Sequence, residues 1–300
     1  MQLVLYGVRG SFPVPGPYTI KYGGNTSSIL IEFDKDKYLI IDAGTGIRNL
    51  GTYLLNNKKK PLDINILFTH THWDHIMGIP FFAPIYEPGS IINMYGPESS
   101  SEQTLKDIIL SQLEHKYFPV SVHEIGANIN EVQLSEDTFE ILGAKIRTIR
   151  LNHPCITLGY RIEYDNKIIT TVYDHEPFDN FFMDDIEAKK LNGKMSKEKI
   201  IKLNKKLVDF CNNSNFVIVD SQYTKKEYIE QKKGYGHSYY KYALALGIKS
   251  NSKSIILFHH DPSRTDNQLD YIDKILKNYI KENGYNIEVI VAKEGLRLDL

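Results

Sequence analysis

Short apolar runs broken by turn residues organise the first part of the chain. Gln2 to Val8, Ser28 to Phe33, Tyr38 to Asp42 and Ile64 to Thr69 have the length and β-branched content of buried strands, and Gly- and Pro-containing stretches such as Gly10 to Asn25 separate them. Thr45 to Leu55 predicts a first helix. Ser99 to Leu113 predicts a second, its capping signal a run of serines followed by Glu102 and Gln103. Further strands are predicted at 138–150, 158–163 and 167–172. The pattern then changes to helix at 196–213, strand at 216–220, helix at 238–247, strand at 254–258, helix at 266–282 and strand at 286–291. Strand-rich and helix-rich stretches occur in both halves, so the expectation is a single α/β domain over 1–300, with sheets sandwiched between helices and a helical insert around 176–215. Lys58 to Lys60 reads as a solvated turn between helix and strand.

Composition narrows the function classes. The 300 residues carry 36 Lys plus Arg against 37 Asp plus Glu, a formal net charge of -1. A surface built for long nucleic acid or anionic membrane normally shows a basic excess, so neither is expected as a partner. Cys155 and Cys211 are too few and too far apart for a disulfide framework or a CxxC site, which fits a reducing compartment. No run approaches 18 apolar residues, and Met1 to Val8 lacks a basic region before it, so a cytoplasmic protein without an export signal is expected.

Ten histidines are the unusual count, and their placement matters. Phe68-Thr69-His70-Thr71-His72-Trp73-Asp74-His75 sets four potential ligands within six residues, directly after a buried strand. Burying such a group is costly without a charge to coordinate. Imidazoles and carboxylates at this density suit borderline divalent cations such as Zn, Mn, Fe or Co better than Ca or Mg. His70 and His72 can face one ion, and Asp74 and His75 a second.

The motif His70-x-His72-x-Asp74-His75, with Ile41-Asp42-Ala43-Gly44-Thr45-Gly46 before it, resembles the metallo-β-lactamase superfamily. The resemblance implies an αββα sandwich, two mixed sheets flanked by helices, with a dinuclear metal site. It assigns His70, His72 and His153 to one ion and Asp74, His75 and His259 to the other, with Asp174 bridging. Zinc is the first expectation for both ions and manganese the second. His259 fits the family position better than the neighbouring His260, because it directly follows the strand Ile255 to Phe258. Two such ions can generate hydroxide near neutral pH and clamp both sides of an in-line displacement, the chemistry of phosphodiester hydrolysis. Asp74 would orient or deprotonate the attacking water.

Gly236-His237-Ser238 is similar to the Gly-His-Ser/Thr segment of the phosphodiesterase branch that includes ribonuclease Z. By that resemblance His237 is the general acid on the leaving oxygen and Asp220 its orienting carboxylate. If 238–247 is helical, N–H groups at Ser238 and Tyr239 would also favour a phosphate oxygen. His175 and His260 stay open between a role beside the site and plain surface hydrogen bonding.

Three branches of the superfamily differ from this chain. Ribonuclease Z normally carries a long arm between its third histidine and the bridging aspartate, whereas only 20 residues lie between His153 and Asp174. Phosphoribosyl cyclic phosphodiesterases usually add a cysteine-rich zinc site, and antibiotic-degrading lactamases lack the Gly-His-Ser segment. Gly7-Val8-Arg9-Gly10-Ser11 and Tyr22-Gly23-Gly24-Asn25-Thr26-Ser27, with Phe258-His259-His260-Asp261-Pro262, resemble a compact bacterial and phage group that includes the anti-Pycsar enzymes. The resemblance implies hydrolysis of a 3',5'-cyclic nucleotide, cyclic pyrimidines first, to the 5'-monophosphate, and with it immune evasion in a host cytoplasm. Phe12, Tyr18, Phe181 and Phe182 are candidates for stacking the base. A homodimer is expected, for which the helix-rich 176–215 insert, as an alternative to stacking the base, would build the interface, one protomer's residues closing the other's site. The alternatives are RNA processing of the ribonuclease Z type and a nucleotide-sequestering protein without turnover. Gly44, Gly46 and Gly51 do not complete GxGxxG, Ser221 has no nucleophile elbow, and Asn25-Thr26-Ser27 is a glycosylation acceptor without use in the cytoplasm.

Overall fold

A computed structural model describes residues 1–98, 103–178 and 196–300 of the chain. The chain divides into two compact units, each built on one mixed seven-stranded sheet. The first unit holds residues 1–135, 140–143 and 292–300, the second 136–139 and 144–291.

In the first unit the strands are β1 (Gln2–Gly7), β2 (Ser28–Asp34), β3 (Lys37–Ile41), β4 (Asp63–Leu67), β5 (Ile91–Pro97), β6 (Asn128–Leu134) and β14 (Arg297–Asp299), in the order β14-β1-β2-β3-β4-β5-β6. The β1–β2–β3 meander is antiparallel, and β3 through β6 run parallel. Helix α1 (Ile47–Asn57) turns Ile47, Leu50 and Leu54 into a cluster with Ile40, Ile64, Ile66 and Phe82. That is the i, i+3, i+7 stripe an amphipathic helix needs. Helix α2 is one turn (Trp73–Ile76) and α3 is short (Leu105–Leu110).

The second sheet orders β7 (Thr138–Ile141), β8 (Ala144–Arg150), β9 (Leu158–Tyr164), β10 (Lys167–Val172), β11 (Phe216–Asp220), β12 (Ser254–Phe258) and β13 (Glu288–Val291) as β13-β12-β11-β10-β9-β8-β7, all in the second unit except the end of β7. β10 to β13 are parallel and connected through α4 (Lys197–Cys211), α5 (Tyr240–Lys249) and α6 (Asp266–Asn283). The central strands carry continuous apolar runs, Phe216 to Val219 and Ile255 to Phe258, as strands covered on both faces do. α6 opens on a capping box between Thr265 and Gln268 and closes on Gly284 at φ +65°.

The two mixed sheets and their flanking helices agree with the fold expected from sequence, and several boundaries differ. The predicted strand 138–150 is two strands, because Leu142 and Gly143 adopt φ of 55° and 86° and reverse the chain. The helix expected to open on the serines at 99–101 is capped instead by Thr104, whose side chain accepts from Asp107 N while the Asp107 carboxylate accepts from Thr104 N; residues 99–102 lie outside the described residues. Strands β5, β6 and β14 are additions that the sequence pattern does not predict.

Candidate metal centre

Parallel pairing decides where the polar residues emerge. In the first sheet Ile41 pairs with Leu67, so β3 and β4 end side by side and deliver Asp42 and Thr69-His70 to the same carboxyl-terminal edge. In the second sheet Val172 pairs with Val219, and Asp220 with Phe258, so Asp174, Asp220 and His259 leave three adjacent strand ends together. Loops at the carboxyl ends of parallel strands are where α/β folds place ligand sites.

Asp42, Asp174 and His259 share a further property: all three are left-handed, at φ of 57°, 56° and 58°. Asp and His visit this region more readily than most side chains, yet a non-glycine residue held there stores strain of roughly 1–3 kcal/mol, and such strain gathers at functional sites.

Within the first unit His70, Asp74 and His75 are buried and His72 is exposed. The His70 and His72 rings lie 4.5 Å apart and His70 and His75 4.2 Å apart, with Asp74 Oδ2 3.4 Å from His75 Nε2. His75 Nδ1 is 2.7 Å from Asp42 Oδ2, so it donates there and leaves Nε2 as the lone-pair nitrogen. Asp42 also accepts from Thr69 N and Thr69 Oγ1 at 2.8 and 2.9 Å. Asp74 Oδ2 accepts from Ser11 N at 2.7 Å, which fastens the Gly10 to Asn25 loop to the motif. The same loop is held by Val8 and Arg9 N–H groups on Asn25 O, and by Arg9 Nε, which donates to Gly23 O at 2.8 Å. Thr26 and Thr45 exchange hydrogen bonds between backbone N–H and side-chain oxygen. The sequence-level motifs around Gly7 and Gly24 thus build the loop that anchors Asp74.

Within the second unit the ligand atoms of Asp174, Asp220, His237 and His259 all lie within 4.8 Å of one another, with Asp174, Asp220 and His259 buried and the His237 side chain 12% exposed. His259 Nε2 is 3.2 Å from Asp174 Oδ1, and His153 Nε2 is 3.6 Å from Asp174 Oδ2. His153 Nδ1 donates to Gly236 O at 2.8 Å, so that Nε2 again carries the lone pair. His237 Nδ1 donates to Asp220 Oδ2 at 2.7 Å, with the ring stacked on His259 at 4.9 Å. Donor sets of this kind, imidazole Nε2 atoms beside carboxylate oxygens with Nδ1 held by an oxygen acceptor, fit a borderline divalent cation.

The structure corrects the anion-binding expectation at Ser238. α5 starts at Tyr240, and Ser238 N donates to Asp220 Oδ1 at 3.3 Å, so that N–H already has its acceptor. His175 is buried, and burial pushes its imidazole down to about 3. It is therefore neutral; Nδ1 accepts from Asn152 N at 3.1 Å, and Nε2 donates to the Tyr242 hydroxyl at 3.0 Å. His260 is buried at 2% exposure, while His115 and His123 are exposed. Phe12 and Tyr18 are exposed, as is Trp73 beside the ligands; Phe181 and Phe182 lie outside the described residues. Sequence reading gives no role to Asp42, Ser11 or Glu176. The signal for Asp42 is present, an acidic residue ending an apolar run.

Residues 22–156 match the family described as the Metallo-beta-lactamase superfamily. Ribonuclease Z of Haloarcula marismortui is 29% identical over 172 residues, 56% of this chain and 49% of that protein, so the chain spans about half the length of this relative. Ribonuclease Z of Clostridium beijerinckii is 22% identical over 290 residues, covering 86% of this chain and 87% of that one. Among solved structures, YhfI of Bacillus subtilis superposes with a TM-score of 0.66 at 16% identity, over 99% of this chain and 98% of that one. The short form of human tRNase Z gives 0.62 at 17%, over 100% and 99%. A diphosphatase of the PhnP family gives 0.63 at 16%, over 100% and 97%. Among the described residues no helix is long and apolar enough to cross a membrane.

Proposed function

From the premise that this chain carries a metallo-β-lactamase domain with ribonuclease Z relatives, and is a metal-dependent phosphodiesterase, we propose that it hydrolyses a small 3',5'-cyclic nucleotide to the 5'-monophosphate. The observation that carries the reading is the pair of oriented donor groups at strand ends together with His237, whose Nδ1 is held by Asp220 and whose Nε2 is available to move a proton. In this reading both units form one hydrolase domain. His70, His72 and His153 would hold one divalent cation and Asp74, His75 and His259 the other, with Asp174 shared. Bound zinc or manganese would supply a nucleophile at neutral pH and offset phosphate charge.

The chain's own residues supply the rest. Asp74, its carboxylate fixed by Ser11 N–H, orients the attacking water. That water gives up a proton to the Asp74 carboxylate as it adds to phosphorus, the bond to O3' breaks, and His237, protonated on both ring nitrogens, gives its Nε2 proton to the leaving oxygen. Asp220 fixes the direction of the His237 ring and stabilises the imidazolium form from which Nε2 gives this proton.

What supports a small substrate is the segment between His153 and Asp174. It is filled by the antiparallel β9–β10 hairpin, closed by Asp165 and Asn166 at φ of 46° and 59°, a two-residue turn where a tRNA-clasping arm would otherwise insert. The balanced charge points the same way. RNA processing is the second reading, favoured by the names of the relatives. Purified protein given Zn or Mn separates them on cCMP, cUMP, cAMP, cGMP and a tRNA precursor. We expect cyclic nucleotide turnover with 5'-monophosphate as product; cleavage of the tRNA precursor alone would overturn the reading, and recovery of unchanged nucleotide after denaturation would indicate sequestration. A homodimer belongs to the same proposal, and sedimentation as a monomer at micromolar concentration would remove it.

A further inference from the structure

Glu176, two residues past Asp174, is a fully buried carboxylate on which three donors converge. Oε1 accepts from the Tyr228 hydroxyl at 3.0 Å and from Gly234 N at 2.8 Å, and Oε2 accepts from Gly236 N at 2.8 Å. Its backbone is fixed as well. Glu176 N donates to Asn152 O at 2.8 Å, and Asn152 Nδ2 donates to Glu176 O at 2.9 Å. Burying a carboxylate costs several kcal/mol unless hydrogen bonds compensate it, and a neutral acceptor would serve if a turn merely had to be closed. A carboxylate does something a neutral group cannot: its two oxygens hold two N–H groups two residues apart, which fixes the peptide planes from Gly234 to Gly236.

What those planes carry gives the arrangement its use. The carbonyl of Gly236 is the acceptor for His153 Nδ1, and the next residue is His237. Gly236 sits at φ +86°, and a Cβ there would lie 2.5 Å from His153 Nδ1, so the turn lies directly against that imidazole.

We propose that Glu176 is a positioning residue that sets two site histidines at once, His153 through the Gly236 carbonyl and His237 through the direction in which the chain leaves Gly236. The proposal rests on the metal-dependent phosphodiesterase reading above. The isosteric Glu176→Gln tests it. Its carbonyl can still accept from Tyr228 and Gly234, but its amide then points a donor at the Gly236 N–H, and the turn must back away. Tyr228→Phe removes one donor and leaves both backbone clamps.

The measurements are zinc affinity of the full chain by chelator competition and the pH profile of bis(p-nitrophenyl) phosphate hydrolysis, a phosphodiester without a nucleobase. For Glu176→Gln with unchanged circular dichroism, zinc affinity and kcat should each fall about 10- to 100-fold, the range seen when partners of metal-bound histidines are removed. The pH-profile limb belonging to His237 should move, with KM little changed. Tyr228→Phe should stay within about threefold of wild type. Zinc affinity and kcat of Glu176→Gln both within twofold of wild type would overturn the proposal. If that variant does not fold, wild-type NMR decides: the Gly234 and Gly236 amides should be slow to exchange and shifted downfield, and fast exchange at both would overturn it. Wild type that binds zinc without cleaving the diester refutes the phosphodiesterase reading, while a zinc-affinity loss in Glu176→Gln still supports the positioning role.

Discussion

Replacing Asp42 by Asn should weaken metal binding far more than it weakens the fold. Asp42 is fully buried and serves Thr69 N, Thr69 Oγ1 and His75 Nδ1 at 2.8, 2.9 and 2.7 Å. Asparagine fills the same space and keeps one oxygen for Thr69 N. Its amide then faces His75 Nδ1, and the imidazole answers by moving its proton from Nδ1 to Nε2. The Thr69 hydroxyl, which donates to the oxygen that is lost, turns its hydrogen to His70 Nδ1 3.1 Å away and accepts from the amide, so the loss of metal-free stability is that of a charge-assisted bond becoming a neutral one, about 1 kcal/mol. At roughly 2 °C per kcal/mol for a chain of this size, the metal-free Tm should drop by about 2 °C. Coordination through Nε2, however, now requires reversing the tautomer against the substituted amide. Loss of such a partner costs about 10- to 100-fold in metal affinity, or about 1.4–2.7 kcal/mol. Chelator competition measures the affinity and scanning calorimetry with and without zinc the stabilities, while nitrogen-15 shifts of His75 report the tautomer directly. Unchanged zinc affinity, or a metal-free protein that no longer folds, would refute this reasoning.

The other predictions rest on separate contacts. His237→Ala should lower kcat about 10²- to 10⁴-fold while elemental analysis still finds wild-type metal content, since its Nδ1 is engaged by Asp220; loss of metal would make it a ligand instead. Gly236→Ala should cost more than about 1 kcal/mol in denaturant unfolding and reduce zinc affinity, because φ of +86° and a Cβ 2.5 Å from His153 Nδ1 disfavour any side chain there. Ellman's reagent at pH 8 should find one reactive thiol in the folded protein and two in denaturant: Cys155 is half-buried, whereas burial, opposed only partly by Arg161, raises the Cys211 thiol well above its usual range. Stripping the metal with a chelator should lower Tm, and zinc returned at 100 times its Kd should restore about 2.7 kcal/mol, measured by thermal unfolding.

What could be read from the sequence, and what could not, follows from where each residue's constraint originates. The Ile64 to Phe68 run and the His70 to His75 motif are legible because a parallel central strand is mostly apolar, here with Asn65 as the one polar residue of the run, so ligands crowd onto the first residues beyond it. The same logic made Asp174, Asp220 and His259 visible as polar ends of apolar runs. β6 was invisible for the opposite reason: its sequence Asn-Ile-Asn-Glu-Val-Gln-Leu is mostly exposed at the sheet edge, so its hydrogen bonding to β5 leaves little hydrophobic mark. β14 has three residues and exists only because β1 offers a free edge. Glu176 carries no motif, and Asp42 sits in one that does not reveal its role, since their partners are backbone N–H groups and side chains 27 to 60 positions away.

Backbone handedness explains why those polar strand ends can become a site at all. Read as sequence, Asp42, Asp174 and His259 are each the polar residue closing an apolar run. Had they stayed extended, their side chains would have followed the two-residue alternation of the strand before them, into the packed faces of the sheets. The left-handed turn at each position ends the strand and frees the side chain from that alternation, so each can meet neighbours from the adjacent strand end. Three such turns cost several kcal/mol together by the usual scale of backbone strain, and Asp42 recovers part of this through its hydrogen bonds to Thr69 and His75. At Asp174 and His259, whose nearest charged partners include each other at 3.2 Å, bound cations would supply the remainder. The strain therefore makes the second unit the more metal-dependent of the two. On metal removal, hydrogen exchange should rise first at the Asp174 and His259 turns, while the Asp42 turn keeps its protection; equal loosening at all three would contradict that ordering.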